Sequence, residues 1–231
     1  MKVWVTRSQP GADRQAAELG DAGHDPVVAP VVRIEATGSA VPAGSFDDLV
    51  FLSEHAVRAG LPALRAMPWF VSARVFAVGR RTAAVLAEAG GRAAAPGDAT
   101  SEGLLALDDL ADMRSRSVLL VCGAGGRELL QATLAERGAR VARFECYRRE
   151  PVRRLDPRVL VCDAIIAASG EGLRQAARLW LAAGGRADVP VLVPPARVAG
   201  LGVEVGLTSL HDCDGADTGA WLRGLRALTQ D

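Results

Sequence analysis

Val118-Leu119-Leu120-Val121-Cys122-Gly123-Ala124-Gly125-Gly126 reads as a buried strand running into a glycine turn, and the recurrence of this pattern decides the fold. A helical stretch then reaches Arg137, Gly138 ends it, and Val141 to Arg149 is extended again. The N-terminus has the same plan: Val3-Trp4-Val5-Thr6, a helix over 10–22 with Ala16, Leu19 and Ala22 at helical spacing, Gly23 as its stop, then Val27-Val28. Val3, Gly11, Ala17, Leu19, Gly23, Arg33 and Glu35 align without a gap on Val118, Gly126, Ala132, Leu134, Gly138, Arg148 and Glu150. An internal repeat of this kind implies a duplicated architecture, so the chain is expected to hold two similar domains.

Further segments fall into the same register. Asp48-Leu49-Val50-Phe51-Leu52-Ser53 is an apolar strand that delivers a serine, with a helix expected over 54–61. Asp163-Ala164-Ile165-Ile166-Ala167-Ala168-Ser169 repeats that arrangement. Val75–Val78, closed by Gly79 and followed by a helix over 81–89, is matched by Val189–Val193. Ser101 to Leu105 opens another helix, and Trp221, Leu222, Leu225 and Leu228 mark an amphipathic closing one. Strands alternating with helices predict α/β domains with two doubly wound parallel sheets. Ligands of such sheets sit outside the C-terminal strand ends, where Thr6, Ser53, Gly79, Gly123 and Ser169 fall.

Composition narrows the function. The 231 residues are long enough for two domains. With 27 basic and 27 acidic residues the net charge is zero, which argues against a nucleic-acid partner. Lys2 is the sole lysine, so the cations are arginines, the side chain suited to gripping carboxylates through paired hydrogen bonds. No apolar run approaches the roughly 18 residues a membrane helix needs, and the start reads as a strand rather than a signal peptide. A cytoplasmic protein without a membrane partner is expected. Cys122, Cys146, Cys162 and Cys213 lie far apart, and His24, His55 and His211 are scattered, so neither a disulfide framework nor a metal site is expected.

The candidate site residues each carry a plain structural reading beside the chemical one. Gly123-Ala124-Gly125-Gly126 lacks a third spaced glycine and the Lys-Ser/Thr of nucleotide loops, and reads as a turn aiming helix N–H groups at an anion. Ser53 and Ser169 lie outside any nucleophile-elbow pattern and suit helix N-caps, a geometry that also offers donors to a carboxylate. Thr82 and His55 fall in first turns of helices. Tyr147, the only tyrosine, sits on a strand, where packing is the ordinary role.

Taken together, Val5-Thr6-Arg7, Val50 to Val57, Val78-Gly79-Arg80-Arg81-Thr82-Ala83, Ser101 to Leu105 and Leu119 to Arg149 resemble the uroporphyrinogen-III synthase family. That resemblance implies two α/β lobes, 1–34 plus 150–231 and 41–144, with linker strands at 30–40 and 145–151. It implies a cofactor-free lyase whose substrate is hydroxymethylbilane, a linear tetrapyrrole rich in carboxylates. The family reaction expels water, inverts the last ring through a spirocyclic intermediate and closes the macrocycle. Matched residue by residue, Tyr147 would aid departure of the hydroxyl, and Ser53, His55, Gly79, Thr82 and Ser169 would bind substrate. A monomer is expected. Where the family carries a Gly-x-Thr/Ser-Ala turn, this chain has Pro194-Pro195-Ala196-Arg197. Anion binding there would fall to Arg197, and a catalytically degenerate binding or regulatory module is the alternative.

Overall fold

The structure is a computed structural model that describes residues 1–126, 128–194, 201 and 204–229. Its contacts divide into two compact units, Met1–Arg33 with Glu150–Asp231, and Ile34–Arg149. The expected turn at 194–197 lies outside the described residues apart from Pro194, and so does the binding role expected of Arg197.

The discontinuous unit is built on five strands: β1 (Lys2–Val5), β2 (Asp25–Val28), β8 (Ala164–Ile166), β9 (Val191–Val193) and β10 (Leu210–Asp212). They lie in the order β10-β9-β8-β1-β2, every neighbouring pair parallel. Alternate side chains of a strand point to opposite faces. Val3 and Val5 therefore pack with Ala12 and Leu19 of α1 (Gly11–Asp21) and with Trp221 and Leu225 of α7 (Thr218–Ala227). Trp4, between them, packs on the other face with Leu173, Ala177 and Trp180 of α6 (Gly170–Ala182).

The continuous unit repeats this plan with β4 (Asp48–Phe51), β5 (Arg74–Ala77), β6 (Ser117–Gly123) and β7 (Arg140–Pro151), joined at one edge by β3 (Val32–Ala36). Its order is β3-β7-β6-β4-β5, with β7-β6-β4-β5 parallel throughout. Val118 and Leu120 face Leu130 and Leu134 of α5 (Leu129–Glu136) and Leu104 of α4 (Ser101–Leu105). Leu119 and Val121 face Val57, Leu61 and Leu64 of α2 (Glu54–Arg65) and Val85 of α3 (Arg80–Glu88). Residues aligned by the sequence repeat thus occupy matching strands and matching faces. Even the strand entries match: Asp47 accepts a 2.7 Å hydrogen bond from the Ser117 amide, and Asp163 one of 2.7 Å from the Lys2 amide.

Three local expectations are corrected. The linker strand expected at 30–40 is the shorter β3, parted from β2 by Ala29–Val31, where the chain leaves one sheet for the other. The helix after Ser53 does not stop before Pro62 but continues to Arg65. Pro62 is exposed, and Leu61 and Leu64 on either side are buried; their packing sustains the turn that proline alone would end. The glycine turn 123–126 does not lead straight into a helix: α5 begins only at Leu129, behind Glu128.

Candidate active site

The C-terminal end of β4 carries Ser53, whose backbone is extended (φ −167°, ψ 164°) and whose hydroxyl oxygen accepts a 3.0 Å bond from the Ala56 amide. This caps α2, as serine at this position does in general. The same oxygen lies 3.1 Å from the Tyr147 hydroxyl, and either group can donate. Tyr147 is 3% exposed; its ring meets the His55 ring edge-on at a centroid distance of 5.6 Å. Ser53, His55 and Tyr147, separate candidates in the sequence, therefore form one cluster.

Beside it, β5 leads through Gly79 into α3. Gly79 is the N-cap and has no side chain to satisfy the first N–H groups, unlike Ser53 on α2. Glycine is also needed for space, because a Cβ here would come within 2.5 Å of the Ala99 Cβ. Thr82 is buried in the first turn of α3, Arg80 is exposed at its start, and Arg81 reaches across to Glu54 at 3.2 Å. Uncapped N–H groups at a helix N-terminus favour an anion.

Ser169 lies in the other unit. It is exposed, and its hydroxyl oxygen accepts 3.1 Å from the Gly172 amide, capping α6. The nearby Thr6 hydroxyl is buried and donates 2.7 Å to the Ile166 carbonyl. Each unit therefore ends its sheet in hydroxyls and helix N-termini.

Thiol chemistry is disfavoured by burial. Cys146 sits behind Tyr147, and burial pushes its thiol up to about 11, far from the thiolate form at neutral pH. Cys162 and Cys213 are raised to about 11 for the same reason. Among the described residues no three His, Cys, Asp or Glu side chains gather as a metal site. Gly123 is a turn residue in the sequence, yet in the structure it lies against the Tyr147 ring. The signal for this is faint: Cys146 and Tyr147, adjacent and both apolar within a strand, mark the point where alternation fails.

A duplicated parallel-sheet architecture with hydroxyls and helix N-termini at its strand ends defines a two-unit α/β protein, a class whose ligands bind beyond the C-terminal ends of the strands. The family model described as uroporphyrinogen-III synthase HemD matches residues 13–191. The uroporphyrinogen-III synthases of Salmonella typhimurium and Escherichia coli are each 32% identical, covering 98% of this chain and 100% of the relative. The chain belongs to the uroporphyrinogen-III synthase family. Two solved structures share the fold: the uroporphyrinogen-III synthetase of Helicobacter pylori, with a TM-score of 0.68 at 15% identity over 100% of this chain and 99% of that one, and a mutant synthase from Thermus thermophilus, with 0.58 at 22% over both full chains.

Proposed function

We propose that this chain cyclises hydroxymethylbilane to uroporphyrinogen III, and that Tyr147 supplies through Ser53 the proton that lets the terminal hydroxyl leave as water. The observation that carries the reading is the 3.1 Å approach of the two hydroxyls at the end of β4. Tyr147 is too enclosed to meet a large substrate broadly, whereas Ser53 is only half-buried. Ser53 also accepts the Ala56 N–H at the positive end of α2, which makes its own O–H a better donor.

In this reading Ser53 gives its proton to the departing oxygen as the C–O bond breaks, and Tyr147 restores it. Ring closure then releases a proton from the pyrrole, which returns to the phenolate, so the site ends as it began. The isomer choice is an orientation problem: the substrate must be held in the one shape that inverts the last ring. The α3 N-terminus with Gly79 and Thr82, the His55 ring and the capped N-terminus at Ser169 are the groups we assign to carboxylate binding. We further propose that the protein acts on the free tetrapyrrole as a cytoplasmic monomer, without nucleic acid or membrane. Its zero net charge speaks against a nucleic-acid partner, and no helix among the described residues is long and apolar enough to cross a membrane.

The test is incubation with freshly generated hydroxymethylbilane and separation of type I from type III product. The wild-type protein is expected to give type III above the buffer blank. Tyr147→Phe is expected to lower kcat about tenfold, less than many general acids contribute because this leaving group departs readily, with thermal stability retained. Wild-type kcat in that variant would reduce Tyr147 to a packing residue, and no type III product from the wild type would remove the function.

A further inference from the structure

The pairing of β6 with β7 slips by one residue beside the candidate site. Val121 stands opposite Phe144 and Cys122 opposite Glu145, but Gly123 stands opposite Tyr147, so Cys146 has no partner on β6. An extra residue of this kind re-aims the side chains that come after it. Under strict alternation Phe144 and Cys146 would face α2 and Tyr147 would turn to the opposite face. Instead Phe144, Cys146 and Tyr147 are all buried in the same core cluster, on the α2 side. The slip is held from both edges: the Ala124 amide donates 2.8 Å to the Tyr147 carbonyl, and the Thr37 amide 3.2 Å to that of Cys146.

Re-aimed in this way, the Tyr147 ring lies across Gly123. A Cβ on residue 123 would sit 2.6 Å from the ring Cζ, 2.8 Å from Cε2 and 3.0 Å from the hydroxyl oxygen. Carbon atoms pack at roughly 3.5–4.0 Å, so even alanine would push the hydroxyl end of the ring away. Gly123 is absent from the glycines with positive φ, so space rather than backbone conformation is what requires glycine here.

We propose that Gly123 and the unpaired Cys146 together form a seat that fixes the Tyr147 hydroxyl on Ser53, which makes Gly123 a positioning residue. The catalytic consequence rests on the acid role proposed for Tyr147; the seat itself does not. Because Tyr147 is the only tyrosine, the full chain labelled with fluorotyrosine gives one fluorine resonance, and that resonance reports this ring alone.

In Gly123→Ala the resonance is expected to move, kcat to fall about tenfold, and KM to stay within about twofold. Added to Tyr147→Phe, the same substitution is expected to cost no further kcat, since the hydroxyl it displaces is already gone. A folded Gly123→Ala protein with an unmoved resonance, or a further loss of kcat in the double variant, overturns the seat. Should Gly123→Ala not fold, Ser53→Ala reads the same contact from the other side: the resonance moves if the hydroxyl is seated there, and an unmoved one overturns the proposal. A resonance that moves in Gly123→Ala while Tyr147→Phe keeps wild-type kcat upholds the seat and sinks only the acid role.

Discussion

Asp48 opens β4 with none of its surface exposed, and its two carboxylate oxygens accept from Arg74 Nε at 2.6 Å and from Arg116 Nε and Nη2 at 2.5 and 2.8 Å. Burial alone would raise its pKa, but the hydrogen bonds from Arg116 and Arg74 outweigh it and hold the carboxyl below its ordinary range. A lowered folded pKa means that this carboxylate contributes stability while the pH exceeds the unfolded value of about 3.9, and that the contribution fades as pH falls below it. Asp48→Asn is therefore expected to lose about 2 kcal/mol at neutral pH. That sits below the range for breaking a fully buried pair because both arginines retain about a third of their surface in water. Urea titrations at pH 7 and pH 3 check this: the gap between wild type and variant should narrow in acid, and a constant gap would mean that the charge is irrelevant. In the sequence Asp48 is only a strand's first residue. Its partners lie 26 and 68 positions away, a distance at which no local pattern links one residue to another.

At the level of elements, the duplication is legible because a buried strand must be apolar and a helix must end, and glycine and valine record both in single letters. Ser53 and Ser169 can be read as caps on the same local grounds, and both act as caps. Sequence reasoning fails where packing overrides local preference. Proline lacks the N–H that a helix interior uses, which places the expected end of α2 before Pro62, whereas buried Leu61 and Leu64 carry the helix to Arg65. The slip at Cys146 is hidden because one extra residue in a strand changes no composition and only disturbs alternation. Pro62 gives a direct measure of such an override. Its ring is exposed, so Pro62→Ala removes little packing while restoring a helix donor. The variant is expected to be more stable by about 1–2 kcal/mol, part of the roughly 3 kcal/mol that separates the two residues in helix interiors being offset by proline's stiffening of the unfolded chain. An equal or lower midpoint in urea would show that the helix is already adapted to proline there.

The chain path through the whole molecule sets an order on folding. Ile34–Arg149 is continuous, and the central contact of its sheet, β4 with β6, joins residues about 70 apart. The other unit is complete only when Glu150–Asp231 returns to Met1–Arg33, and its central pair, β1 with β8, joins residues about 160 apart. Closing the longer loop costs more entropy, although the penalty grows only slowly with length. That cost is smaller once the intervening stretch is compact, so the continuous unit should form first. The chromophores separate the two. Trp4, Trp180 and Trp221 are buried in the discontinuous unit, while the continuous one holds Trp69 and the single tyrosine. On dilution from denaturant, a fluorotyrosine signal at Tyr147 is therefore expected to reach its native value before most of the tryptophan emission recovers. Replacing Trp69 with Phe leaves three tryptophans that all report on the discontinuous unit and sharpens the comparison. Simultaneous recovery of the two signals would mean that the halves fold as one cooperative body, and the reverse order would mean that the return of the C-terminal segment does not wait for the inserted unit.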